Sequence, residues 1–95
     1  MKYNFEWDPN KERINKEKHG VSFEEATSVF LDPLAVTIYD PDHSETEHRW
    51  ITLGISHKGK LLVTCHTFTT ENGTAIIRIF SCRKATKIER KQYGE

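Results

Sequence analysis

The chain has 95 residues, 36% hydrophobic and 29% charged, with no formal net charge. That length supports one modest core, and the composition excludes both a disordered chain and a collagen-like one. Without an apolar run near the eighteen or so residues of a membrane span, and with an N-terminus MKYNFEWDPN that lacks a signal-peptide core, the expectation is a single cytoplasmic domain over residues 1–95 with no membrane partner.

Residues 2–7 alternate, with Tyr3, Phe5 and Trp7 on one side and Lys2, Asn4 and Glu6 on the other, as a half-buried strand does. Asp8-Pro9 then predicts a helix start, because Asp8 can cap free N–H groups and Pro9 suits the first turn. Gly20 ends that helix beyond Lys18. Ile14 is its only aliphatic residue, and Lys11, Asn15 and Lys18 share the Ile14 side. Two readings of this polar stripe stand open: a solvated face whose lysine stems lie over the aromatic strand, or one side of a functional groove ending in Lys18 and His19.

Ser22-Phe23-Glu24-Glu25 is a capping box, predicting a second helix from Phe23 to Phe30 or Leu31, stopped by Asp32-Pro33. Val36–Tyr39 reads as a short strand and Asp40–Glu47 as an acidic loop. Arg49–Ser56 and Leu61–Phe68 read as strands joined by a hairpin at His57-Lys58-Gly59-Lys60. Thr69–Thr74 reads as a turn built on Asn72-Gly73, Ala75–Ser81 as a buried strand, and the segment from Lys84 as a helix. The order β-α-α-β-β-β-β-α implies an α+β fold, a small antiparallel meander packed against two N-terminal helices with a C-terminal helix.

Charge is distributed unevenly. Residues 1–48 carry five Lys and Arg against eleven Asp and Glu, whereas residues 49–95 carry nine against three. A two-signed molecule can show a basic surface to phosphates, although the two halves can equally neutralise each other. His19, His43, His48, His57 and His66 make no metal-ligand spacing, and neither a P-loop, a dinucleotide-binding glycine pattern nor a serine elbow is present, so no metal or cofactor is expected. Cys65 and Cys82 lie in strand-like runs, where reduced, packed thiols are the expectation. What remains is a set of cationic and imidazole side chains: Lys11, Lys18, His19, Arg49, His66, Arg78, Arg83 and Lys84. Such a set suits metal-free cleavage of RNA, in which the ribose 2′-hydroxyl attacks its own phosphate and the protein supplies proton transfer and charge stabilisation. It would serve equally well for a module that only binds RNA or an acidic partner, for instance as a subunit of a transcriptional repressor.

Four motifs taken together, W-D-x-x-K, K-H-G-V-S-F-E-E-A, E-x-R-W-I and I-R-I-x-S-x-R-K-A-T, occur in this order over nearly the whole chain. In this combination the chain resembles the BrnT family of bacterial type II toxins. The resemblance implies a RelE-like fold, a ribonuclease that arrests translation, and neutralisation by a BrnA-like antitoxin with a ribbon-helix-helix domain, through which operator DNA is contacted indirectly. Carried over residue by residue, the family's polar pattern falls on Lys11, Asn15, Lys18, His19, Arg49, Arg78, Arg83 and Lys84. On this reading Arg49 and Arg83 grip the scissile phosphate with Arg78 as a third contact, and Lys18 and His19 transfer protons, with His66 as a second candidate. Two departures stand out: Phe68-Thr69-Thr70, where members often carry an acidic residue and an arginine, and Cys82, where alanine is usual.

Overall fold

The computed structural model describes residues 2–44 and 46–94. It contains three helices and one six-stranded sheet: β1 (Lys2–Glu6), α1 (Pro9–His19), α2 (Phe23–Thr27), β2 (Val36–Tyr39), β3 (Arg49–Ile55), β4 (Leu61–Thr67), β5 (Thr69–Glu71), β6 (Thr74–Lys84) and α3 (Lys87–Tyr93). A 3-10 turn, Ser28–Leu31, continues α2. None of these helices is long and apolar enough to cross a membrane.

The expected caps form. Asp8 accepts from Asn10 N at 2.8 Å, Ser22 accepts from Glu25 N at 3.0 Å, and Gly20 ends α1 at φ 70°, a left-handed conformation that glycine adopts without strain. The β3–β4 hairpin closes where the sequence places it, through Ser56 N to Lys60 O at 2.8 Å. Both cysteines are free thiols.

Three features differ from the sequence expectation. The sheet is mixed, in the order β1-β6-β4-β3-β2, because β1 runs parallel to β6 with Tyr3 opposite Ala75 and Phe5 opposite Ile77. Alternation reports which face a side chain takes, and says nothing of strand direction. The span read as a turn holds a further strand, β5, whose Glu71 pairs with Thr74 across a two-residue loop. Asn72 and Gly73 there have φ 50° and 79°, the paired left-handed conformation that Asn-Gly hairpins favour. Finally, β6 runs on to Lys84 and α3 starts only at Lys87, capped by Thr86 in a capping box with Glu89. The Thr86-Lys87-Ile88-Glu89 spacing carries that signal in plain view.

The sheet buries both faces. On one side, Leu62, Ile77, Ile79 and Cys82 pack under Val21, Phe23, Ala26 and Val29, with Phe5, Trp7 and Phe30 alongside. Gly54 lies there because a Cβ would come within 3.2 Å of Val29 and Ala35. On the other side, Leu53, Leu61 and Val63 pack with Ile51, Ile55, Ala85 and Tyr93 of α3. Tyr93 also donates its hydroxyl to Asp32, whose carboxylate accepts from Ile55 N at 2.8 Å. Burial works to raise the Asp32 pKa, but the hydrogen bonds from Ile55, Tyr93 and Leu34 outweigh it and the net shift is downward.

Candidate functional site

Where β4 meets β6, Cys65 pairs with Ser81 while His66 pairs with Ile79, so Phe80 is the extra residue of a β-bulge. Bulges bend a strand and re-aim a side chain. Here the ring meets Arg49, whose guanidinium carbon lies 4.1 Å from the ring centroid, and Lys11, whose Nζ lies 5.2 Å away. Both contacts are in the cation–π range.

Helix α1 reaches Phe80 because Asn15 holds it there. Strand β1 pairs with β6 only as far as Arg78, which leaves the rest of that β6 edge without a strand. The Asn15 side chain takes the strand's place: Nδ2 donates to Cys82 O at 2.8 Å and to Val21 O at 3.1 Å, while Oδ1 accepts from Cys82 N at 3.1 Å. A carboxamide has the same donor and acceptor pair as a peptide group, so it can complete a ladder. Asn15 is the buried residue of α1, and its tether accounts for a helix with so little apolar surface. Its carboxamide is thereby committed to the fold.

With α1 so held, Lys11, Lys18 and His19 line one shallow cleft of about 220 Å³ with Ile14, Asn15, Phe80 and Ser81. Arg49 closes the other side of the Phe80 ring. Its Nη2 makes a loose ion pair with Glu47 at 3.7 Å, and its Nε is buried without a hydrogen-bond partner among the described residues. A buried donor left unpaired is costly. Arg78, two residues before Phe80, is exposed and loosely paired with Glu6 at 3.6 Å.

The remaining expected site residues lie apart from this cluster. Arg83 stands opposite Val63 on β4 and Arg49 opposite Thr67. Four positions offset them by about 13 Å along the strands, and β4 lies between them. The Arg83 guanidinium is engaged by the Glu89 carboxylate in a bidentate pair, at 2.7 and 2.9 Å. These bonds raise the Arg83 pKa and hold the Glu89 carboxyl down at about 2. Lys84 is exposed at the same end of β6. His66 is on the helix-covered side, only 1% exposed, with Nε2 at 2.6 Å from Thr52 Oγ1 and Nδ1 at 2.9 Å from Thr67 O. Burial pushes its pKa down, so the imidazole sits neutral in the interior, away from Phe80. Burial likewise pushes the Cys82 thiol up to about 11, so it stays protonated at neutral pH.

The residue that sequence reasoning passed over is Phe80. It was visible as the aromatic position of a strand otherwise flanked by arginines, but the bulge that turns it toward Arg49 depends on the β4 register.

Fold and site together define a small α+β protein with a cationic face centred on one aromatic ring. A family model described as the ribonuclease toxin, BrnT, of type II toxin–antitoxin systems matches residues 7–89. The chain therefore belongs to the BrnT family, which carries with it an antitoxin partner and an RNA substrate. Its fold is like that of the Brucella abortus ribonuclease toxin BrnT, solved by crystallography: the TM-score is 0.60 at 19% identity, covering 92% of this chain and 100% of that one. No curated protein sequence matches the chain closely enough to count as a relative.

Proposed function

We propose that this protein is a RelE-like toxin domain spanning residues 1–95, a cytoplasmic, metal-independent endoribonuclease that cleaves RNA by 2′-hydroxyl attack and so blocks translation. A BrnA-like ribbon-helix-helix antitoxin neutralises it and brings the pair to operator DNA. The observation that carries this reading is the guanidinium of Arg49 stacked 4.1 Å from the Phe80 ring, with Lys11 on the same ring.

A guanidinium held over an aromatic ring by cation–π attraction can still direct N–H groups at a phosphate. Arg49 would bind the scissile phosphate and stabilise the extra charge of the phosphorane. Lys11 would neutralise a neighbouring phosphate. Lys18 and His19, in the cleft beside Phe80, would take the 2′-hydroxyl proton and return one to the leaving 5′-oxygen. Arg78 lies next along β6 as an outer phosphate contact. Arg83 and Lys84 extend the basic track toward α3, with Arg83 available once Glu89 yields it.

The test is cleavage of RNA by the purified protein in excess EDTA, with the product ends analysed. Products carrying 2′,3′-cyclic phosphate and 5′-hydroxyl ends are expected, with Arg49→Ala inactive. Binding without cleavage would replace the enzyme with an RNA-binding subunit, and cleavage abolished by EDTA would remove the metal-free chemistry.

A further inference from the structure

On the helix-covered face, past the end of α2, the sheet is left open in a groove of about 400 Å³ lined by Tyr3, Phe30, Thr37, Trp50, His66 and Phe68. We propose that this groove is a binding site for a nucleobase of the RNA strand. The proposal rests on the ribonuclease reading for its ligand and on separate residues for its evidence.

Four of the six lining side chains are aromatic hydrocarbon or indole rings, and Phe30 fixes the base of the groove edge-on against His66, with ring centroids 4.9 Å apart at 79°. A planar heteroaromatic ring fits such walls, because every base offers a π face to stack. Aliphatic side chains that would suit a protein partner gather elsewhere, as Leu31, Leu34, Val36 and Ile38 around the open edge of β2.

One polar chain opens into this apolar space. Thr67 O can only accept, so His66 Nδ1 carries the proton and Nε2 accepts from the Thr52 hydroxyl. Thr52 Oγ1, its own proton thus committed, accepts from Thr37 Oγ1 at 2.9 Å. The Thr37 hydroxyl hydrogen therefore points inward, and its lone pairs are what the groove presents to a ligand. An acceptor at that spot pairs with an N–H on the edge of a base, the amino group of adenine, cytosine or guanine or the N3–H of uracil.

The groove also adjoins the cationic face. Trp50 follows Arg49 on β3, and His66 precedes the Thr67 that lies opposite Arg49. The groove and the Phe80 cluster are thus the two faces of one end of the sheet, about 10 Å apart through its thickness. A strand turning round this end can leave a phosphate on Arg49 and lay a nearby base in the groove.

The experiment is a titration of the 15N-labelled full chain with AMP, CMP, UMP and ribose 5-phosphate, following the Trp50 indole and His66 imidazole signals. AMP, CMP and UMP should each shift both signals saturably, and ribose 5-phosphate should leave both unmoved. Phe68→Ser, a change at a largely exposed position, should weaken AMP binding about tenfold by removing one stacking wall. Trp50→Leu serves as the second variant, with its amide spectrum checked for retained fold. Absence of a saturable shift with all three nucleotides, an equal response to ribose 5-phosphate, or an unchanged affinity in both variants would overturn the proposal. Wild-type cleavage separates the two readings: cleavage with a silent groove removes the base site alone, and a responsive groove without cleavage removes the ribonuclease alone.

Discussion

Arg49 and Arg83 sit on the same face of one sheet, within register reach of the same strand, and their surroundings differ in kind. Arg49 has an aromatic ring beneath it, a loose carboxylate at 3.7 Å and a buried Nε with no partner among the described residues. Arg83 has both of its terminal nitrogens taken by Glu89, the residue that also completes the cap of α3. An arginine whose donors are already met fastens a helix. Arg49 has no such bidentate carboxylate among the described residues. Identical side chains on the two strands that flank β4 therefore differ in how closely a carboxylate holds them.

The largest expected effect tests what assembles the Arg49 end. Asn15→Ala leaves the Cys82 N–H and C=O without partners, which should cost about 3 kcal/mol and lower the melting temperature by more than about 10 °C. Calorimetry checks it; a shift of only a degree or two would mean that α1 docks by other means. Arg49→Ala should reduce kcat/KM for RNA by about 100-fold, with the melting temperature within about 3 °C of wild type. Arg49→Lys should recover only part of that loss, since an ammonium cannot lie flat on Phe80 and still bind bidentately. Arg83→Ala should do the reverse. Removing a half-exposed pair costs about 1 kcal/mol, or roughly 5 °C, while cleavage falls tenfold or less. If instead this variant is stable and inactive, the two ends have exchanged roles.

The smallest effects concern Glu89 and pH. Glu89→Gln should destabilise the fold slightly, release Arg83, and tighten RNA binding severalfold at low salt, read by titration at two ionic strengths. Because Arg83 holds the folded Glu89 pKa at about 2 against an ordinary 4.5, the contribution of the pair is full above 4.5 and is lost as pH falls from there toward 2. His66 acts earlier. Burial lowers its pKa from 6.5, so the unfolded chain takes up that proton first, and stability should begin to decline as pH drops below 6.5. Urea unfolding from pH 8 to 3 measures both, and a flat profile between 6.5 and 5 would remove the buried neutral histidine.

Asn15 and His66, read from the sequence as RNA contacts, are each enclosed by a partner far along the chain: Asn15 by Cys82, His66 by Phe30 and Thr52. Lys11, Lys18 and His19 line one cleft with Phe80, whose ring also meets Arg49. Spacing on α1 was enough to group those three, while Arg49 was joined to them only by the Phe80 ring.

What this sequence determined by itself is local. Alternation marked the strands, Asp8, Ser22 and Gly20 set helix ends, and Asn72-Gly73 set a hairpin, since each depends on backbone geometry within a few residues. Tertiary structure alone decided the parallel pairing of β1 with β6, the bulge at Phe80, the amide of Asn15 standing in for a strand, and the choice of Arg83 over Arg49 as the partner of Glu89. Those outcomes depend on which distant edges meet and in which register, and hydrogen bonds between such edges leave no periodic trace in the order of residues.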